Sequence, residues 1–128
     1  MVFIEYIYCK FLFGGIWMQL IFERKDDILI VKLMGELDHH SAEEVRIKID
    51  NKIDETGLNK VIFDFAGVNF MDSSGIGVII GRYKKVKDFN GKVAIINLRP
   101  HIKKIFELGG LFKIIKEYDN LQKALLEF

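Results

Sequence analysis

The order of its segments predicts an α/β protein: a mixed, mostly parallel sheet with an antiparallel N-terminal edge strand and four helices. Three observations carry this. From Met18 onward, short strand-like segments alternate with segments of helical period, the arrangement that builds parallel sheets through right-handed crossovers. Residues 61–65 form a nearly unbroken apolar run, as in a strand covered on both faces. The first two strand-like segments are joined by only Lys25-Asp26-Asp27, which suits a hairpin and leaves no room for a crossover.

Taken in order, residues 19–23 and 28–33 are the hairpin strands. Ser41-Ala42-Glu43-Glu44 has the spacing of a capping box, with Ser41 and Glu44 satisfying each other's backbone donors. Val45, Ile49 and Ile53 then recur at helical spacing, and Gly57 supplies the stop. After the strand at 61–65, a second helix is expected over 74–88, with Ile76, Ile79, Ile80 and Tyr83 as its buried stripe. Lys84, Lys85 and Lys87 lie near its C-terminal end, where the helix dipole favours cations. Asn90-Gly91 is a turn, and residues 93–96 are another buried strand. Pro100, the only proline, fits the first turn of a third helix, where a missing donor costs little. That helix buries Ile102, Ile105 and Phe106 and stops at Gly109-Gly110. Residues 114–116 read as the last strand. Asp119 or Asn120 caps a final helix carrying Leu121, Ala124 and Leu125.

The bulk composition narrows the function. At 128 residues, 50% hydrophobic and 29% charged, the chain suits one domain with a true core. A formal net charge of +1 gives no basic field to attract nucleic acid. The single cysteine, Cys9, excludes an internal disulfide and fits a reducing, cytoplasmic setting. Residues 1–17 are rich in large apolar side chains, are interrupted by Glu5 and Lys10, and are short for a bilayer span. They lack the basic start and cleavage site of a secretory signal. They also lack the Lys/Arg-rich face of a membrane-surface helix. They therefore read as an apolar extension ahead of a natural start at Met18, and a chain beginning at Met18 is expected to fold like the full one.

Two loops are expected at the carboxyl ends of strands, where open α/β sheets gather functional groups: residues 35–41 and residues 67–75. In the second, Phe70-Met71-Asp72-Ser73-Ser74-Gly75-Ile76-Gly77 precedes a helix. Asp and Ser satisfy free backbone donors, so the block reads first as a well-capped helix start. Gly75 and Gly77 strip side chains from the first turn and would let another molecule approach the backbone. A helix N-terminus also tolerates negative charge, so a serine there can gain roughly −2 charge on phosphorylation without unfolding the domain. That is the second reading, a switch.

In the first loop, Glu36 and Asp38 read as exposed acids complementing the next helix. His39 and His40 are adjacent and do not form a defined chelating pair, and the chain offers only His101 and Cys9 besides, so no metal is expected. Met71 and Asp72 precede the serines, which breaks the Gly-x-Ser-x-Gly pattern of a nucleophile elbow. No Gly-Lys-Ser/Thr follows the glycines. The expectation is a binding protein with no catalytic residue and no cofactor.

The series strand, Gly35-Glu36-Leu37-Asp38-His39-His40, helix, buried strand, then Phe70-Met71-Asp72-Ser73-Ser74-Gly75-Ile76-Gly77-Val78-Ile79-Ile80-Gly81-Arg82-Tyr83, resembles the STAS domain of bacterial anti-sigma factor antagonists. Gly110-Leu111-Phe112-Lys113-Ile114-Ile115 is similar to the sporulation members of that family. The resemblance runs from Met18 to about Leu126 and implies a single STAS domain over residues 18–128. It implies partner switching. The unphosphorylated antagonist binds an anti-sigma factor that is also a serine kinase and so frees a sporulation sigma factor. The kinase phosphorylates the antagonist, which lets go, and a metal-dependent PP2C-type serine phosphatase restores it. The acceptor in the family pattern follows the aspartate and falls on Ser73. Asp38 falls on a family aspartate that helps kinase recognition. Asp38, His40, Ser41, Asp72, Ser74, Gly75 and Ile76 are the implied partner-binding residues. The free protein is expected to be a monomer that touches neither membrane nor nucleic acid. The alternative is an antagonist serving a stress-response sigma factor. The STAS module of anion transporters would need long membrane spans, which this sequence does not contain.

Overall fold

The structure, a computed structural model, describes residues 3–10 and 16–128. Its six strands lie in one sheet in chain order: β1 (Ile4–Lys10), β2 (Ile16–Lys25), β3 (Ile28–Leu37), β4 (Lys60–Met71), β5 (Lys92–Ile96) and β6 (Lys116–Tyr118). β1, β2 and β3 pair antiparallel, and β3 to β6 pair parallel. Four helices connect or follow them: α1 (Ala42–Thr56), α2 (Ser73–Lys87), α3 (Pro100–Leu108) and α4 (Leu121–Glu127), with a single 3-10 turn over Leu111–Lys113. The expected fold class is present, with one strand more at its antiparallel edge.

Period two along the central strands explains the continuous apolar runs. Leu29, Val31, Leu33, Val61, Phe63 and Phe65 point to the face covered by α1, α2 and α3. Ile28, Ile30, Ile62, Ala94 and Ile96 point the other way, against Ala124 of α4. A strand buried on both faces leaves little place for polar residues, and Lys32 and Asp64, within these strands, are only half-buried. The β2–β3 hairpin closes through Asp26, whose positive φ of 55° matches the twist that two-residue turns require.

β3 and β4 run further than the sequence suggests. β4 has twelve residues, so most of the loop expected at 67–75 is strand. Gly67 permits this: a Cβ there would lie 2.3 Å from Met34 Cγ, and its absence lets the two strands stay paired up to Leu37 beside Met71. The last strand also differs. The 3-10 turn at Leu111–Lys113 and the buried Ile115 take up the chain before β6, which starts at Lys116 rather than at residue 114.

α1 buries Val45, Ile49 and Ile53 and ends where Gly57, at φ 68°, donates its N–H to Ile53 O at 2.8 Å, as its C-terminal signal predicts. The capping box does not form. Ser41 has helical backbone and no side-chain cap bond. It is fully buried, and its hydroxyl is drawn inward to a carbonyl at the end of β3, described below. In α2 the buried positions are Gly75, Val78, Ile79, Arg82 and Val86. Ile79 is buried as expected, but Ile76, Ile80 and Tyr83 are only half-buried, because α2 also packs sideways on α1. The seam between those helices carries Arg82, whose Nε lies 2.8 Å from Asp50 Oδ1, and Lys85, 2.9 Å from Asp54. The Arg82–Asp50 contact is close but misaligned for a hydrogen bond, leaving Nε and Nη1 unbonded. Burial lowers the Arg82 pKa, the Asp50 carboxylate opposes that shift, and Arg46 adds to it.

β1 adds an interaction that composition does not reveal. Glu5 accepts from Lys52 Nζ of α1. The Lys52 side chain is 5% exposed and lies over the Phe3 and Phe22 rings, at 5.6 and 5.7 Å. Burial pulls its pKa down, and Glu5 and Glu55 more than restore it. Phe3 and Ile7 lean on the edge of the main core. The buried side chains of both core clusters nevertheless come from Met18 onward. A chain beginning at Met18 should therefore still melt in one cooperative transition. It should be less stable by at least about 1–3 kcal/mol, the worth of covering Phe3 and Ile7 alone. Thermal melts of the two chains check this, and a truncated chain without a cooperative transition would mean that β1 is needed to build the sheet.

Candidate functional site

The parallel register brings two chain exits together. Glu36 pairs with Phe70 and Leu37 with Met71, after a register shift at Gly35, whose φ of 118° accommodates it. Asp72 N then donates to Leu37 O at 3.3 Å. Beyond that bond β3 passes through a short turn, residues 38–41, into α1, and β4 passes directly into α2.

The turn is built from the inside. Asp38 is 8% exposed, which corrects the expectation of an exposed acid. Its Oδ1 accepts from His40 N at 2.9 Å and Ser41 N at 3.2 Å, and its carbonyl accepts from Ala42 N at 2.8 Å. The buried Ser41 hydroxyl accepts from Asp38 N at 3.1 Å and donates to Glu36 O at 2.8 Å. These bonds satisfy backbone groups that neither sheet nor helix can reach. The turn is fastened to the neighbouring helix by one further bond, from His39 N to Asp72 Oδ2 at 3.3 Å. The His39 ring nitrogen Nδ1 lies 3.9 Å from the same oxygen.

Asp72 is the N-cap of α2, as its type predicts. Its Oδ1 accepts from Ser74 N at 2.8 Å, so its two oxygens serve its own helix and the adjacent turn. Ser73 is the first residue of α2 and is exposed, while Ser74 is half-buried. Gly75 is buried, and a Cβ there would stand 2.4 Å from Met71 Cγ and 3.2 Å from Leu37 Cδ2. The close approach that needs this glycine is therefore made by the protein's own strand ends, not by a visiting molecule. Gly77 is exposed, with nothing within 4 Å of a Cβ, and remains open to another molecule. Ile76 is half-buried and reaches Gly109 at the end of α3, where a Cβ would lie 3.3 Å from Ile76 Cγ2.

All the residues singled out from sequence thus gather at one end of the sheet, but they divide. Ser73 and His40 face outward, Asp72, Ser74 and Ile76 lie at the boundary, and Asp38, Ser41 and Gly75 are internal. The sequence assigns no partner-binding role to His39, Arg46 or Phe70, although His39 is weighed there as a metal ligand and Phe70 belongs to the motif. Phe70 is 50% exposed; two residues after the buried Val68 it would share that face in a regular strand, and the register shift that skips Asn69 turns it outward, so no local signal marks its exposure. His39, Glu43, Arg46, Ser74 and Gly77 line a shallow cleft of about 290 Å³ between the starts of α1 and α2. Among the described residues, no three His, Cys, Asp or Glu side chains cluster as metal ligands, and no helix is long and apolar enough to cross a membrane.

A six-strand mixed sheet with two helix starts joined at the carboxyl ends of β3 and β4 defines a recognisable class. The model of the STAS domain matches residues 19–124, and the chain belongs to that family. It is 39% identical over 110 residues to an anti-sigma F factor antagonist of Paenibacillus polymyxa, covering 86% of this chain and 94% of the relative. It is 29% identical over 94 residues to the anti-sigma-B factor antagonist of Listeria monocytogenes, covering 73% and 82%. Among solved structures, the Bacillus cell fate determinant SpoIIAA in its phosphorylated form superimposes with a TM-score of 0.66 at 29% identity, covering 84% of this chain and 97% of that one.

The two glycines of α2 give opposite expectations. Gly75→Ala should cost about 1–3 kcal/mol, because a methyl is forced into Met71 and Leu37. Gly77→Ala should be neutral or stabilise by up to about 1 kcal/mol, because alanine is the better helix former and meets nothing. Denaturant titrations of both variants check the pair. Equal destabilisation would contradict the inward role given to Gly75.

Proposed function

We propose that this chain is an anti-sigma factor antagonist, a regulatory binding protein rather than an enzyme, switched by reversible phosphorylation of Ser73. The observation that carries the reading is the setting of Ser73. It is an exposed hydroxyl on the first residue of a helix, next to an Asp72 carboxylate already engaged by Ser74 and His39. The partners are an anti-sigma factor serine kinase, which binds the unmodified form, and a PP2C-type serine phosphatase, which restores it. The controlled factor is the sporulation sigma factor, supported by the 39% identity to an anti-sigma F factor antagonist. The similarity to an anti-sigma-B factor antagonist favours, less strongly, a stress-response client. Capture of the bound kinase and identification of its sigma factor separates the two.

The chemistry suits a switch that leaves the fold alone. The N-terminus of α2 carries free N–H groups and partial positive charge, so a phosphate on Ser73 is tolerated within the protein. A partner covering Ser73 must strip water from that dianion. A tenfold loss of affinity requires only about 1.4 kcal/mol, and like-charge contact across an interface can supply more.

Incubation with the cognate kinase and ATP, followed by mapping of the modified residue, tests the reading. Phosphate is expected on Ser73, and phosphate on Ser74 alone would refute the assignment. Ser73→Ala should bind the anti-sigma factor, refuse phosphate and leave the sigma factor active. Ser73→Asp should melt like the parent yet bind the anti-sigma factor about tenfold or more weakly. Unchanged affinity of a folded Ser73→Asp protein would count against the electrostatic part of the argument.

A further inference from the structure

Asp38 and Ser41 share an unusual position for residues of a partner surface: both are almost wholly buried, at 8% and 0% exposure. Neither side chain offers a partner much to touch. Each instead holds backbone. Asp38 Oδ1 gathers the N–H groups of His40 and Ser41, and the Ser41 hydroxyl ties Asp38 N to Glu36 O. The turn shaped by these four bonds presents one outward donor to the next element, His39 N, and that donor meets Asp72 Oδ2 at 3.3 Å. The other oxygen of Asp72 holds Ser74 N. A chain of hydrogen bonds therefore leads from buried Ser41, through Asp38 and the His39 peptide, to the carboxylate that fixes the first turn carrying Ser73.

We propose that Asp38 is a positioning residue for the phosphoacceptor, acting with Ser41 through the turn and Asp72 rather than by presenting its charge to a partner. This rests on the reading of Ser73 as the acceptor. Geometry is what a phosphoryl acceptor most needs, because displacement of the reacting oxygen by about an ångström can cost on the order of a hundredfold in rate. The turn is where that geometry is set. Without Asp38 Oδ1 the His40 N–H loses that acceptor and Ser41 N keeps only the Asp38 carbonyl, at 3.2 Å; the His39 peptide is then free to rotate, and Asp72 is held from one side only. The structure gives no such role to the side chain of Glu36, the neighbouring acid at the end of β3, which is exposed.

The test separates shape from charge. The substitution Asp38→Asn keeps an oxygen able to accept both N–H groups and removes the charge, whereas Asp38→Ala removes the oxygen as well. Phosphorylation by the cognate anti-sigma kinase with ATP should proceed in Asp38→Asn within about threefold of the parent, since the bonds that matter survive. It should fall by about tenfold or more in both Asp38→Ala and Ser41→Ala. Amide hydrogen exchange supplies the readout that a surface contact would not move. His40 and Ser74 amides should exchange faster in the two alanine variants and at the parent rate in Asp38→Asn. Asp38→Asn phosphorylated as slowly as Asp38→Ala, with parental exchange in both, would overturn the proposal and assign Asp38 to the partner's recognition of charge. Phosphate found away from Ser73 in the parent chain would overturn the acceptor assignment instead. The exchange rates of the same variants tell that failure apart from a relay that does not exist.

Discussion

The parallel pairing of β3 with β4 sets Leu37 beside Met71 and lets Asp72 N donate to Leu37 O. The rest of the site follows from that register. A slip of one residue would turn the side chains of β4 to the opposite faces, taking Val61, Phe63 and Phe65 out of the core they share with the helices. The hydrophobic core thereby fixes the position of Asp72 at the end of the strand. The carboxylate of Asp72 then joins the start of one helix to the turn before another, and Ser73 follows it into solvent.

Burial divides the labour within this end of the molecule. Asp38, Ser41 and Gly75 shape backbone and pack against their own chain, while Ser73, His39, His40, Gly77 and Phe70 meet solvent. A rigid inner layer beneath an exposed hydroxyl is a sound arrangement for a charge switch. Under the proposed switch, a phosphate on the exposed Ser73 would change what a partner meets without removing a buried side-chain contact. The unbonded Arg82 groups at the α1–α2 seam show that the polar satisfaction of the Asp38 turn is not general to the protein.

Much of this was legible in the sequence, because alternation and helical spacing are local. The hairpin turn, the apolar strand at Val61 to Phe65, the α1 stripe of Val45, Ile49 and Ile53, the Gly57 stop and a cap at Asp119 or Asn120, which the structure gives to Asn120, all rest on neighbours a few residues away. What could not be read depends on contacts between distant segments. Gly67 and Gly75 are explained by Met34, Leu37 and Met71. Ser41 has the sequence of a capping box but meets a carbonyl at the end of β3 that competes for its hydroxyl. Arg82 is a charged residue at the helical spacing of the buried Val78, Ile79 and Val86, and the Asp50 carboxylate that lies against it comes from α1, 32 residues earlier. β1 escaped because apolar residues at a chain start resemble many things until a partner strand is seen.

The central claim is that negative charge at Ser73 alters the interface and leaves the fold in place. Calorimetric titration of the anti-sigma factor with the unmodified chain and with the chain stoichiometrically phosphorylated at Ser73, alongside thermal melts of both, tests it most directly. The account predicts closely matching melting curves and an affinity lower by at least about tenfold after phosphorylation. Equal affinities would contradict it, and so would a phosphorylated chain that loses its cooperative melt.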